Sequence, residues 1–385
     1  MGKLERLRID KLVAGGEGLA FSEGRAVFVP GALPGELVEA EIVDSRRDWS
    51  RAELRALVET SPDRAEPVCP IYGECGGCNL QHLSYEAQLR EKASMLRDIF
   101  LRTALFDPGE IATVPSPPFG YRNRLQLHFS AAGRLGFMRR LSNEIVEAPG
   151  CPIAVKALEL WIEERAGRSE SRDELHDYGV SGDRFTLFGQ GDEVFVEGRH
   201  KRVRTQVAGE RISFDLGGFF QSNLQILDSL VPEVVEGLEG SRAADLYAGV
   251  GLFAHFLSKR FSRVIMVEEN RAALAEARTN APGPANEYHG SSVEDWCRGQ
   301  GARAVLDALV VDPPRSGLSA QVRAWIAQRR PRLLSYVSCD PVTLARDAAE
   351  LVKAGYSLER LKLFDFYPQT GHLETLARFR LAGES

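Results

Sequence analysis

The sequence predicts a multidomain α/β protein in three parts: an N-terminal β-barrel, a mainly-β middle and a C-terminal α/β domain on a mainly parallel sheet. Three observations predict it. The chain has 385 residues, 44% of them hydrophobic, enough for two or three separate cores. Its beginning is a series of short apolar runs broken by glycine and proline turns. After Phe219, strand-like runs alternate with helical ones, the pattern of a parallel sheet covered on both faces.

Taken in order, strands are expected over 7–12, 17–21, 26–29 and 36–43, with turns at Gly15-Gly16, Ser22-Glu23-Gly24, Pro30-Gly31 and Leu33-Pro34-Gly35. Small all-β segments of this length often close into barrels. A boundary falls in the polar, proline-bearing run Ser61-Pro62-Asp63-Arg64-Ala65-Glu66-Pro67. Ser84 then opens a helix reaching about Leu105, with Leu89, Ala93, Leu96, Ile99 and Phe100 on its apolar face. Alternation returns in Leu125-Gln126-Leu127-His128-Phe129 and Val194-Phe195-Val196-Glu197, interrupted by a helical stretch over 153–166. The division is therefore 1–60, then 61–81 with 114–218, then 82–113 with 219–385.

The first ten residues alternate charged and apolar side chains, without an apolar signal core or a small-residue cleavage site, and no segment reads as a membrane span. A cytoplasmic monomer is expected. The net charge of −6 argues against a surface that binds nucleic acid indiscriminately. The basic residues are nevertheless grouped: Arg46, Arg47, Arg51 and Arg55; Arg122, Arg124, Arg134, Arg139 and Arg140; and Arg199 to Arg204. With Tyr121, Phe129 and Phe137 among them, Arg122, Arg124, Arg139 and Arg140 are candidate contacts to RNA.

Six cysteines without a secretory signal point to metal binding or catalysis rather than to disulfides. Cys69, Cys75 and Cys78, with Cys151 later, offer four thiolates whose spacing suits zinc or an iron–sulfur cluster equally. Cys297 has no partner nearby and is expected to be structural.

Asp245-Leu246-Tyr247-Ala248-Gly249-Val250-Gly251 is a strand running into a glycine turn and a helix start, where the backbone passes close to a ligand. The next strand ends in Glu268, an acid placed to accept hydrogen bonds from ribose hydroxyls. The third glycine of the dinucleotide fingerprint is missing, and the arrangement resembles the S-adenosylmethionine site of Rossmann-like methyltransferases. A further apolar strand ends in Asp312-Pro313-Pro314-Arg315, similar to the substrate-facing motif of nucleobase methyltransferases. Another ends in Ser338-Cys339-Asp340-Pro341, and a polar loop enters the last strand at Gly371-His372-Leu373-Glu374. A thiol and a carboxylate suit methylation of uracil carbon 5, a poor nucleophile until a thiolate adds to carbon 6. A base must then remove the carbon 5 proton.

These motifs, with Phe220-Gln221-Ser222-Asn223, resemble the RNA 5-methyluridine methyltransferases over nearly the whole chain. The resemblance implies Cys339 as nucleophile, Glu374 as proton acceptor, and Gln221, Tyr247, Glu268 and Asp312 around the donor and the target base, beside the Gly249 turn. Leu252 and Ser291 depart from residues that some members carry near the donor. Gly24 to Glu36 resembles a TRAM domain, an OB-like RNA-binding barrel. Cys75-Gly76-Gly77-Cys78-Asn79-Leu80-Gln81-His82 resembles the segment of the 23S ribosomal RNA members, which implies a 4Fe-4S cluster in an iron–sulfur central domain. Cluster and barrel together tilt the expected substrate toward ribosomal RNA, with transfer RNA as the alternative. A radical S-adenosylmethionine enzyme would need a Cys-x3-Cys-x2-Cys motif, and a non-catalytic RNA-binding module would not need Cys339 with Glu374.

Overall fold

The computed structural model describes residues 3–168 and 182–383. Strands β1 (Leu4–Arg8), β2 (Lys11–Val13), β3 (Glu17–Ser22), β4 (Arg25–Val29), β5 (Leu37–Ser45) and β6 (Trp49–Glu59) form one sheet in the order β1-β5-β6-β4-β3-β2. Its outer strands β1 and β2 are separated in the chain only by Ile9 and Asp10, so the two edges are joined covalently. The sheet therefore curls around Leu7, Ile9, Val27, Val29, Val38 and Ala52. Strand β6 lies where the sequence shows only a group of arginines, Arg46 to Arg55. Arg51 pairs with Glu17, and Arg55 lies 2.8 Å from both Glu41 and Glu53. The pairs with Glu17 and Glu41 join β6 to β3 and β5.

Next come α1 (Tyr85–Ile99), a π turn over Phe100–Ala104, and β7 (Ala112–Val114). A second sheet, β10-β9-β8-β11-β12, is built from β8 (Arg124–Phe129), β9 (Leu135–Met138), β10 (Ile145–Glu147), β11 (Arg184–Gln190) and β12 (Glu193–Val196). Helix α2 (Lys156–Glu163) covers it with Leu158 and Ile162 against Leu125, Leu127 and Leu187. The hairpin β13 (Arg202–Val207) and β14 (Glu210–Asp215) ends the middle of the chain. Its Val203, Val207, Ile212 and Phe214 sit in the core of the following domain, beside Ile226 and Leu230.

That domain contains α3 (Leu224–Val235), β15 (Gly240–Leu246), α4 (Leu252–Leu257), β16 (Phe261–Val267), α5 (Arg271–Asn280), β17 (Glu287–His289), α6 (Val293–Arg298), β18 (Ala308–Val311), α7 (Ala320–Arg329), β19 (Leu333–Ser338), α8 (Pro341–Lys353), β20 (Tyr356–Phe364) and β21 (Glu374–Leu381). The eight-stranded sheet runs β17-β16-β15-β18-β19-β21-β20-β7, and β21 is antiparallel to both neighbours. Alternate residues of each central strand enter opposite cores: Ala244, Leu246, Leu309 and Val311 on one face, Ala243, Ala308 and Val310 on the other. Burial on both faces is why these strands are apolar without alternation.

Helix α1 forms where its periodicity predicts, but its buried face is turned. Leu89 and Ala93 are half-buried, whereas Gln88 and Lys92 are fully buried with Met95 and Leu96. The reason is a pair of distant partners. Lys92 Nζ lies 2.6 Å from Asp365 Oδ1, both side chains fully buried, and donates to Tyr367 O at 3.0 Å. Burial pushes the lysine's pKa down. Removing one member of such a pair strands the other charge in the interior. Lys92→Met is expected to lower unfolding stability by about 3–5 kcal/mol in a denaturant titration, and Lys92→Met with Asp365→Leu to recover part of that loss.

Candidate active site

Four of the residues singled out by sequence each stand first after a parallel strand: Tyr247 after β15, Glu268 after β16, Asp312 after β18 and Cys339 after β19. Open α/β sheets bind ligands outside these carboxyl ends, where strand order reverses. That reversal lies here between β15 and β18. Glu374 arrives from the other direction. It opens β21, and the pairing of Ser338 with Thr375 makes Cys339 and Glu374 the next residues on two adjacent antiparallel strands. Gln221, Tyr247, Gly249, Glu268, Asp312, Cys339 and Glu374 all line one cleft of about 1410 Å³.

Glu268 fixes the glycine turn. Its Oε2 accepts from Gly249 N at 2.9 Å and its Oε1 from Asn270 N at 2.7 Å. The turn needs glycine at Gly251, where φ is +78° and an added Cβ would stand 2.9 Å from Ala277 Cα. At Gly249 the space a Cβ would enter is open to 4 Å, leaving the backbone approachable. Asp245 is buried beneath the turn, accepting from Ala254 N at 2.9 Å, and its carboxyl is pushed up to about 8, chiefly by burial.

Asp312 begins the loop that continues as Pro313-Pro314-Arg315. The loop is anchored by buried Asp347, to which the sequence motif from Ser338 to Asp347 assigns no role. Its carboxylate accepts from Leu318 N at 2.7 Å, Tyr336 Oη at 2.8 Å and Arg323 Nη1 at 3.0 Å. Gly317, at φ +69°, leaves no room for a Cβ beside Asp347 and Arg346. Arg315 also lines the cleft. Burial pushes Asp312 up to about 7 and Glu374 well above the usual carboxylate range. Cys339 is half-buried, and burial, then the charges of Glu374 and Asp312, push its thiol up to about 11 against a smaller opposing effect of Arg315.

Of the four arginines expected at RNA, Arg122 lines the cleft, its guanidinium 5.9 Å from the centre of the Tyr367 ring. Arg124 is half-buried. Arg139 is ion-paired with Glu74 at 3.0 Å and Glu144 at 3.2 Å, and Arg140 stands 3.8 Å from Glu17. Leu252 lines the cleft, whereas Ser291 lies outside its wall.

Arg122 also borders a second cavity of about 150 Å³, lined by Cys69, Cys75, Cys78 and Cys151 together with Leu125, Phe137 and Ile153. All four thiols are free and half-buried. Among the described residues, no three or more His, Cys, Asp or Glu side chains are drawn together as a metal-binding group. Cys297 is buried near Trp296, as a structural cysteine would be. Among the described residues no helix is long and apolar enough to cross a membrane.

A curled barrel ahead of a methyltransferase-type sheet, with a thiol and a carboxylate at the ends of two inner strands, defines a class of RNA-modifying enzyme. Residues 2–54 match the TRAM domain family and residues 302–378 the tRNA (Uracil-5-)-methyltransferase family. The chain is 34% identical to an uncharacterized RNA methyltransferase of Treponema denticola, covering 98% of this chain and 99% of that one. It is 32% identical to the 23S rRNA (uracil(1939)-C(5))-methyltransferase RlmD of Shewanella amazonensis, covering 97% and 95%. The crystal structure of Pyrococcus abyssi tRNA (uracil-54, C5)-methyltransferase in complex with S-adenosyl-L-homocysteine superposes with a TM-score of 0.75 at 26% identity, covering 97% and 99%. The chain belongs to the RNA (uracil-5-)-methyltransferases.

The raised thiol has a measurable consequence in the free protein. Only the thiolate reacts with alkylating agents, so iodoacetamide labelling of Cys339, followed site by site by mass spectrometry, is expected to rise about tenfold per pH unit toward about 11. A plateau near neutral pH would contradict that environment.

Proposed function

We propose that the protein methylates carbon 5 of a specific uridine in 23S ribosomal RNA, through a covalent bond between Cys339 and carbon 6 of the base. The observation that carries this reading is the meeting of Cys339 and Glu374 at the ends of paired strands, in one cleft with the Gly249 turn and Glu268. Glu268 still has lone pairs for ribose hydroxyls after accepting two backbone N–H groups. Gly249, Gln221 and Tyr247 would flank S-adenosylmethionine, which supplies an electrophilic methyl group on a sulfonium. The chain provides the rest. Cys339 thiolate adds to carbon 6 and makes carbon 5 nucleophilic. After methylation Glu374 takes the carbon 5 proton, carbon 5 and carbon 6 regain their double bond, and the thiolate leaves. Glu374 must be ionised at that moment, in a buried place that disfavours charge. The target base has to be unstacked to enter, at a cost of a few kcal/mol.

The proposed division of labour is an RNA-binding barrel over 1–60, an iron–sulfur unit over 61–81 and 114–218, and methyl transfer by 82–113 with 219–385. Cys69, Cys75, Cys78 and Cys151 would hold the 4Fe-4S cluster and tie the loop of the first three to the region of Cys151. Four thiols spread around one cavity with Leu125, Phe137 and Ile153 suit a cluster, whose four irons stand at separate corners and take one thiolate each. A single zinc draws its sulfurs to about 2.3 Å of one point. Arg122 and Arg124, and Arg139 and Arg140 once their carboxylates yield, would meet RNA phosphates. The chain would act as a cytoplasmic monomer. Transfer RNA remains the second substrate reading, favoured by the likeness to the Pyrococcus abyssi tRNA enzyme.

With S-adenosylmethionine and 23S ribosomal RNA tritiated at uridine carbon 5, the protein is expected to release tritium. Cys339→Ala should abolish release, and Glu374→Gln should stall as an SDS-stable RNA adduct. Loss of 5-methyluridine from transfer RNA alone in cells lacking the gene would move the substrate. Anaerobically purified protein should be brown and bleach on oxidation; a colourless protein with stoichiometric zinc would end the cluster assignment.

A further inference from the structure

Glu374 is the first residue of a strand, and the segment before it, 365–373, has no helix or strand of its own. A base that must meet one carbon-bound proton needs a fixed position. Something outside the segment must supply it.

The contacts converge on Asn79, the residue after Cys78. Its backbone N donates to Gln369 O at 3.0 Å, and its side-chain Oδ1 accepts from Gly371 N at 2.9 Å. Its Nδ2 donates to Gly15 O, in the turn between β2 and β3 of the barrel. Gly371 is pressed against that same turn: an added Cβ would lie 2.5 Å from Gly15 C and 2.6 Å from Gly16 N. The loop is therefore wedged between the barrel turn and Asn79. A carboxamide has an acceptor for the loop and a donor for the barrel; alanine has neither, and a carboxylate has no donor. Gln88 completes the fixture from α1, accepting from Gln369 N at 2.8 Å and donating to Leu83 O at 2.8 Å.

We propose that Asn79 is a positioning residue for Glu374, joining the barrel and the cysteine segment to the base that resolves the covalent intermediate. This rests on the reading of Glu374 as that base. In the step concerned, the carbon 5 proton passes to the Glu374 carboxylate. The C–H electron pair becomes the carbon 5–carbon 6 double bond, and the carbon 6–sulfur bond breaks with its electrons returning to Cys339. Cys339 follows β19 in the middle of the sheet, and the Asn79 contacts go to Gln369, Gly371 and the barrel turn. Loss of the Asn79 bridge should thus spare formation of the adduct and slow its resolution.

The test compares Asn79→Ala and Asn79→Asp with wild type, using 23S ribosomal RNA transcripts and S-adenosylmethionine. Transcripts containing 5-fluorouridine report formation alone, because fluorine cannot leave as a proton. Natural transcripts report resolution, as 5-methyluridine release against SDS-stable adduct. Formation is expected within about twofold of wild type, and resolution slower by about ten- to a hundredfold, the scale of a misplacement near 1 Å. The Asp variant keeps the shape and the acceptor, so it serves if the Ala variant does not fold. Equal slowing of both steps, or no slowing of either, overturns the proposal while Glu374→Gln still stalls. If Glu374→Gln itself fails to stall, the assignment of the base is lost, and the role of Asn79 falls with it.

Discussion

A lysine and an aspartate with no access to water, Lys92 and Asp365, join α1 to the segment that leads into Glu374. Stripping both ions of hydration costs several kcal/mol each, recovered only because the contact is 2.6 Å long and the ammonium also reaches Tyr367 O. Such a pair tolerates little displacement, so it ties together two parts of the chain 273 residues apart. Gln88, one turn earlier on the same helix, makes a neutral version of the same link to Gln369. Tyr121 adds a third, donating to Pro368 O at 2.9 Å. An irregular segment thereby gains the rigidity of the elements around it.

Rigidity there matters because the cleft is electrostatically demanding. Asp245, Glu268, Asp312 and Glu374 gather at or beneath its wall, and the deepest of them are held above their ordinary pKa by burial. Burial first, then Glu374 and Asp312 among these carboxyls, oppose ionisation of Cys339, and Arg315 offsets them only in part. A cation entering beside the Gly249 turn would be attracted by these groups and would in turn favour the thiolate. The free cleft thus disfavours the Cys339 thiolate. The parallel strand ends concentrate these groups: each side chain leaves the sheet where its backbone stops pairing.

Much of this was legible in the sequence, because the motifs are local. A glycine turn after a strand, an acid after the next, and a thiol ahead of a proline-started helix each carry their structural reason within a few residues. Asp340 illustrates it: standing just before Pro341, it is the N-cap of α8, accepting from Val342 N and Thr343 N. Other features read wrongly for a physical reason. Gln88 and Lys92 are polar residues on a buried face, and only their distant partners make that burial tolerable. Arg51, Arg55 and Arg139 read as free charge until the carboxylates beside them are seen.

The sequence by itself determined that a barrel precedes a mainly parallel sheet, that strands of that sheet end in Tyr247, Glu268, Asp312 and Cys339, and the chemistry those side-chain types can do, since backbone propensity and side-chain type are properties of short stretches. Tertiary structure alone decided that Cys339 and Glu374 face one cleft, that Cys151 joins a cavity with three cysteines far earlier in the chain, and that Asn79 bridges the barrel to the Glu374 loop. Those facts are contacts between distant segments. They follow from the antiparallel insertion of β21 beside β19 and from buried polar groups finding their partners, neither of which any local pattern encodes.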